Sequence, residues 1–294
     1  MDPSASASWV RRIWPLAAFQ VTFIAGATQL KSVGNALVLA RMDATVLPYL
    51  YLVGAIVVGV LAVVPRPVPG APGSAPARSA AVGACLTALL GVGALLQLTS
   101  IPIAVYLLAE VGTTFVALRL WLQAGARFDA REARRAFPML NAAAMGGGIV
   151  GGLLLQGGAG RIGLTWVLVE AAAFLALSAW LWRYALPLPP PRQVVGGTHR
   201  PRHRWRHLGR EPYIQLLGVL VLSLAVLSTF ADYLFRMRAG EALEEVALAA
   251  LFGQLQVWLS LFCLVFQLVF AERLLERLGV LRYLALIPVV LTPL

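Results

Sequence analysis

Runs of apolar residues separated by short polar stretches make up most of this chain. A helix of about 20 apolar residues can cross roughly 30 Å of hydrocarbon, so each long run is a candidate transmembrane helix. The pattern predicts eight such helices, at residues 14–38, 46–64, 80–99, 101–124, 136–158, 164–186, 213–236 and 247–271. A ninth run begins near residue 281 and reaches Leu294 after about 14 residues, so we expect the sequence to be part of a longer chain. The expected fold class is an all-α polytopic membrane protein.

The composition agrees with this pattern. Hydrophobic residues make up 60% of the sequence, charged residues 13%, and the mean hydropathy is +0.80. Soluble domains carry about 25% charged residues, so this chain departs from that class. The net charge of +11 would suit nucleic acid in a soluble protein, but here the basic residues gather between the apolar runs. We therefore expect the lipid bilayer, with its anionic cytoplasmic leaflet, as a partner, and no nucleic acid.

The distribution of basic residues predicts the orientation in the membrane. With the N-terminus in the cytoplasm, 18 of the 24 basic residues fall on the cytoplasmic side and five on the outer side, and Arg119 lies within a predicted helix. Basic residues in short loops favour the cytoplasmic side of membrane proteins. The count therefore predicts a cytoplasmic N-terminus.

A polar stretch between the sixth and seventh predicted helices divides the chain. Residues 187–212 form a basic linker rich in Pro, Arg and His. We predict an N-terminal six-helix half at 1–186 and the start of a second transmembrane half, truncated here, at 213–294. This arrangement is the plan of a two-half transporter of the major facilitator type.

Ionisable residues within predicted helices are the first candidates for function, because charge is costly in hydrocarbon. Lys31 shares one face of the first helix with Gln20 and Asn35. This polar stripe would suit a water-filled cavity that meets a phosphate. The alternative is a lysine whose ammonium reaches the outer interface.

The fourth predicted helix carries Glu110 near its middle, with Thr113 and Thr114 beside it. At 100° per residue, Trp121 returns to within about 20° of Glu110. A carboxylate, hydroxyls and an aromatic ring on one face would suit a nucleoside. The alternative is a protonated Glu110 that pairs with another helix and stabilises the bundle.

The seventh predicted helix carries Ser228, Asp232 and Arg236 at intervals of four residues, so they form one stripe. The stripe would suit a cavity wall, although Asp232 and Arg236 could also simply neutralise each other. We expect Glu170, in the sixth helix, to pair structurally. The candidate substrate-binding residues are Lys31, Asn35, Glu110, Thr114, Trp121, Asp232 and Arg236.

Other sequence features predict packing rather than chemistry. Small residues let helices approach closely, and we expect this role for Gly146, Gly147, Gly148, Gly151 and Gly152. The sequence contains no phosphate-binding loop motif, and we find no pattern typical of a nucleophile with its base or of a metal site. We therefore expect no enzymatic activity, no metal and no cofactor.

The polar loop before the fifth predicted helix carries the most specific motif. It reads Glu132-Ala133-Arg134-Arg135-Ala136-Phe137-Pro138-Met139. It resembles the loop of bacterial and plastid ATP/ADP translocases, nucleotide carriers of the major facilitator type, in which Glu-Ala-Lys-Arg precedes an aromatic residue and Pro-Leu. The segments from Leu37 to Tyr51 and from Glu211 to Ile214 are similar to the same family.

The resemblance implies a carrier in the bacterial cytoplasmic membrane that exchanges ATP for ADP. It also implies that Glu110 and Asp232 match acidic positions linked to transport, and that Arg236 takes the place of a family Lys. The first helix departs from the family at Gly34 and Asn35, where relatives tend to carry a basic-acidic pair.

Two alternatives to nucleotide exchange stay open. The first is a carrier fold that no longer transports and serves as a membrane anchor or sensor, with a soluble domain beyond Leu294. The second is a facilitator for another organic anion.

Overall fold

The computed structural model describes residues 3–42, 44–63, 75–95, 101–128, 130–185 and 212–271. About 97% of these residues are helical, and the described ranges contain no strand. A short 3-10 turn, Ala44–Val46, precedes the second helix, and π-helices follow the fourth helix at Leu108–Gly112 and the last at Gln267–Ala271. The α-helices are α1 Pro3–Arg41, α2 Leu47–Val63, α3 Ala75–Leu95, α4 Ile101–Leu107, α5 Thr113–Arg127, α6 Ala130–Ile162, α7 Leu164–Ala185, α8 Pro212–Ala242 and α9 Glu245–Phe266.

Six helical segments are long and apolar enough to cross a membrane, which supports the prediction of an all-α, multi-pass membrane protein. They are Ile13–Arg41, Ile101–Gly125, Glu132–Ile162, Leu164–Tyr184, Ile214–Ala242 and Glu245–Val269. Two of the eight predicted segments are shorter apolar helices, Leu47–Leu61 and Arg78–Gly93.

Several helix ends differ from the predicted bounds. The first helix begins at Pro3 rather than 14, and α6 begins at Ala130 rather than 136. Hydropathy marks where a chain enters hydrocarbon, whereas a helix continues into the polar zone as long as its backbone hydrogen bonds do. The predicted linker, apart from Pro212, and the ninth segment from residue 281 lie outside the described residues.

Helix α1 lies in the centre of the bundle and packs along α6 and α7, with further contacts to α4 and α9. Phe19 is buried against Trp182 of α7, with ring centroids 5.0 Å apart in an edge-to-face arrangement. Gly26 lies so close to α7 that a Cβ there would meet the carbonyl oxygen of Ala171 at 2.9 Å. The outer side of α7 is covered by α3.

Glycines of α6 bring three helices together. Added Cβ atoms at Gly147 and Gly151 would collide with carbonyl oxygens of α1, and those at Gly148 and Gly152 would collide with α9. The prediction that these four glycines permit close helix packing is confirmed. It is wrong for Gly146, because a Cβ there would meet no heavy atom within 4 Å.

Gly151 provides a sharp test of this packing, because a methyl group there would lie 2.9 Å from Ala25 Cα. We expect Gly151→Ala to separate α1 from α6 and to lower the free energy of unfolding by about 1–3 kcal/mol, as overpacking does. Thermal unfolding of the detergent-solubilised protein measures the change. Gly146→Ala is the matched control and should leave the midpoint unchanged or raise it. Equal midpoints for the two variants would contradict the proposed contact.

Helix α8 differs from the others in its exposure. Most of its apolar side chains, from Leu216 to Phe235, are exposed, and Ala239 near its end is buried. Its contacts with α1 are few, and Gly240 approaches the side chain of Leu39. One face of α8 nevertheless carries polar side chains toward α1, and these build the site described next.

Candidate functional site

A polar cavity of about 730 Å³ lies among the helices. Its walls come from α1, from the π-helix and α5, from α8 and from α9. The lining residues are Phe23, Ile24, Ala27, Thr28, Lys31, Ser32, Asn35, Glu110, Thr113, Thr114, Ala117, Ser228, Thr229, Asp232, Phe235, Arg236, Phe252, Leu255, Gln256 and Leu259. This volume falls in the range of about 300–1,000 Å³ that is typical of small-molecule sites.

The first charged pair of the cavity joins α1 to the fourth span. Lys31 Nζ donates a hydrogen bond to Glu110 Oε2 at 3.0 Å. The two side chains are 37% and 31% exposed, so the pair borders the open cavity. The sequence predicted both residues as candidates but did not predict that they would pair. In this structure, Lys31 therefore contacts a carboxylate rather than reaching alone toward an interface.

The second charged pair is centred on Arg236 of α8. Its Nε lies 2.9 Å from Asp232 Oδ2, one helical turn before it. Its Nη1 donates a hydrogen bond to Asn35 Oδ1 of α1, and the guanidinium carbon lies 5.8 Å from the ring centroid of Tyr51. The predicted neutralisation within α8 is thus present, but the same guanidinium also reaches α1 and α2.

Tyr51 was missed by the reasoning from sequence. Its hydroxyl donates a hydrogen bond to Asp232 Oδ2 at 3.1 Å, which ties α2 to α8. A tyrosine in an apolar run has no distinctive sequence signal, because the aromatic ring suits the membrane and the core equally. The contact spans 181 residues, so helical periodicity gives no indication of it.

Glu110 lies in the π-helix between α4 and α5. A π-turn inside an α-helix opens the regular ladder and is frequent at functional sites. Thr113 Oγ1 donates a hydrogen bond to the carbonyl oxygen of Ala109 at 2.5 Å, which gives this carbonyl a second donor beside the backbone N–H of Thr113. The neighbouring Thr114 is exposed to the cavity, as its predicted role requires.

The structure thus brings together six of the seven candidate residues. Trp121 is absent from the cavity wall, because its ring packs edge-to-face on Phe137 of α6 with centroids 5.7 Å apart. The prediction assumed a regular α-helix, whereas a π-helix at Leu108–Gly112 interrupts the helix, and periodicity also does not show how far along a helix a cavity extends. Gln20 is buried, and its Oε1 has no hydrogen-bond partner among the described residues.

Polar contacts join α9, and the π-helix that follows it, to α1 and α6. Arg41 Nε and Nη2 donate to Glu245 Oε2 and Oε1 at 3.0 and 3.2 Å. Gln267 Nε2 donates to the carbonyl oxygen of Pro138 at 2.8 Å, and Gln267 Oε1 accepts from Asn141 at 2.6 Å. A movement of α9 relative to α1 and α6 would break one of these contacts.

No family model, curated protein or solved structure matches this chain. The four charged side chains of the cavity, its hydroxyls and its phenylalanines can bind a polar organic molecule. Among the described residues, no group of three or more His, Cys, Asp or Glu side chains is placed to hold a metal ion.

Proposed function

We propose that this chain is a membrane carrier that exchanges nucleotides, ATP for ADP, by alternating access in a bundle of the major facilitator type. The observation that carries the proposal is the cavity between helices on the two sides of the predicted linker. Lys31 and Glu110 come from helices before the linker, and Asp232 and Arg236 come from α8, which follows it. Transporters of this kind bind substrate near the membrane midplane, between their repeats.

Charge provides the physical reason for an anionic substrate. A polyanion that crosses a low-dielectric region needs fixed cations along its path, and Lys31 and Arg236 line this cavity. Their charges are balanced by Glu110 and Asp232. Phosphate oxygens compete with these carboxylates for the same N–H donors, so substrate binding would exchange one anionic partner for another.

The cavity also offers surfaces for the uncharged part of a nucleotide. Phe23, Phe235 and Phe252 line it, and bases stack well on aromatic rings. Thr114, Ser228 and Gln256 offer hydrogen-bonding groups that could meet a ribose or base edge. A binding site for a simple inorganic anion would not need these apolar walls.

The two ion pairs of the cavity also favour a second candidate, a facilitator for a smaller organic anion. Because Lys31 is matched by Glu110, and Arg236 by Asp232, the four charges sum to zero. A substrate with one or two negative charges would disturb this balance less than a triphosphate. Substrate competition separates the two candidates.

The test is uptake of labelled ATP into proteoliposomes preloaded with ADP. We expect saturable uptake that unlabelled ATP or ADP competes away, and that depends on the internal ADP. Lys31→Ala should reduce the uptake about tenfold, since loss of one charge-assisted hydrogen bond to the substrate costs about 1.5 kcal/mol. Arg238→Ala is the matched control, because Arg238 is exposed outside the cavity and pairs with Glu241.

Three results would revise the proposal. Uptake that mono- or dicarboxylates inhibit but nucleotides do not would support the facilitator. Absence of uptake of any organic anion by correctly inserted protein would favour a membrane anchor or sensor. Equal losses in Lys31→Ala and Arg238→Ala would show that the path does not run through the cavity.

A further inference from the structure

A second cavity lies at the junction where α6 ends and α7 begins. Its volume is about 570 Å³, and it is lined by Arg161, Ile162, Trp166, Val169, Glu170 and Ala173. Gly163, with φ 81°, makes the turn that sets the end of α6 beside the first turns of α7. Its apolar lining is largely exposed: Trp166 is 62% exposed, Ile162 48% and Val169 42%. We call this cavity the junction groove.

The junction groove holds one cation and one anion. Within the described part of the chain, neither Arg161 nor Glu170 has an ion pair or hydrogen bond. Glu170 lies six residues after Leu164, about 9 Å into a helix long and apolar enough to cross the membrane. A carboxylate at that depth needs a partner, because charge is costly in hydrocarbon.

We propose that the junction groove binds the headgroup of a zwitterionic phospholipid that carries a primary ammonium, of the phosphatidylethanolamine type. The lipid phosphate accepts hydrogen bonds from the Arg161 guanidinium, and the lipid ammonium donates to the Glu170 carboxylate. Helical side chains tilt toward the N-terminal end of their helix, so the Glu170 side chain extends back toward Arg161. The Trp166 ring then lies at the level of the interface, where tryptophan is enriched.

The charges of the junction groove select among lipid classes. A phosphatidylglycerol headgroup offers the same phosphate to Arg161, but it carries neutral hydroxyls in place of the ammonium, so the charge of Glu170 stays unbalanced. A phosphatidylcholine headgroup carries the same phosphate, but its quaternary ammonium has no N–H to donate. Of the three headgroups, only the one that joins a phosphate to a primary ammonium satisfies both side chains, and each charge-assisted hydrogen bond adds to the preference.

The test is lipid retention by the purified protein, measured by native mass spectrometry after exchange into equimolar mixtures of the three phospholipids. We expect phosphatidylethanolamine to be retained about tenfold over phosphatidylglycerol, the ratio that one charged hydrogen bond of about 1.4 kcal/mol gives. Glu170→Gln should remove this preference. Arg161→Gln should lower the retention of all three lipids.

The tryptophans offer a matched control for the apolar wall. Trp166→Leu should lower phosphatidylethanolamine retention, whereas Trp258→Leu, at a site 61% exposed on α9, should not. The variants replace exposed or half-exposed side chains, and a thermal midpoint near that of the wild type verifies that they fold. Equal retention of phosphatidylethanolamine and phosphatidylglycerol by the wild type, or a preference unchanged in Glu170→Gln, would overturn the assignment.

Discussion

Replacing Lys31 by glutamate is expected to lower the accumulation of folded protein strongly, and adding Glu110→Lys to the same chain is expected to restore most of it. In the wild type the ammonium and the carboxylate are 3.0 Å apart. Lys31→Glu places two carboxylates at this point, and Glu110→Lys alone places two ammonium groups there. Two like charges about 4 Å apart repel by about 4 kcal/mol at an effective dielectric constant of 20. The free energy of unfolding of native proteins is only about 5–15 kcal/mol, so either single exchange removes a large part of it.

The measurement is a double-mutant cycle on membrane accumulation and on the thermal midpoint in detergent. The double variant re-forms an ion pair with its polarity reversed, so we expect a coupling free energy of about 1–3 kcal/mol. Charge reversal of the exposed pair Arg238 and Glu241 is the matched control, and it should change the midpoint little. Additive losses at residues 31 and 110 would contradict a direct pair.

The same cycle separates folding from transport. The reversed pair keeps the total charge of the cavity but moves the cation from α1 to the π-helix of the fourth span. If transport requires a cation at the position of Lys31, the double variant should fold and yet remain inactive. If the double variant recovers both folding and transport, the net charge of the cavity matters more than the position of the cation.

The sequence allowed the prediction of the helices better than of their contacts. Each of the eight apolar runs corresponds to helical structure, because the requirement to satisfy backbone groups in lipid leaves few alternatives. The 39-residue length of α1 was underestimated, since its first eleven residues are polar enough to fall outside a hydropathy criterion. The orientation and the two-half plan remain predictions.

For the site, the sequence indicated which side chains are expensive to place in a membrane but not which of them meet. Lys31 and Glu110 were separate candidates with separate alternatives, because the 79 residues between them give no relative position for their helices. Asp232 and Arg236 lie on one helix, so their pairing followed from spacing alone. Tyr51 became visible only through its contact with Asp232.

The contact between the first helix and Arg236 also has a physical consequence. The side-chain oxygen of Asn35 accepts a hydrogen bond from Arg236. The Asn35 amide is neutral, so it orients the Arg236 guanidinium without neutralising its charge. Arg236 has enough donors to bind Asp232 and Asn35 together.

Arg236→Lys is therefore expected to be strongly damaging although it keeps the charge. Arg236 is 13% exposed, and its planar fork reaches Asp232 with one nitrogen and Asn35 with another. A lysine ammonium is a single point that cannot occupy both positions, so Asn35 or Asp232 loses its partner. We expect a loss of about 2–3 kcal/mol in the free energy of unfolding, and about a tenfold loss of transport.

Arg238→Lys supplies the control for that prediction, because Arg238 is two residues away on the same helix and is 78% exposed. Thermal midpoints and uptake rates of the two lysine variants can be compared directly, with Tyr51→Phe as a third variant that removes one hydrogen bond from Asp232. We expect the losses of Tyr51→Phe in thermal midpoint and uptake rate to lie between those of Arg236→Lys and Arg238→Lys, since Asp232 keeps Arg236 as its partner. If Arg236→Lys behaves like Arg238→Lys, a positive charge alone is sufficient at this position. The guanidinium fork would then contribute nothing to holding α1, α2 and α8 around the cavity.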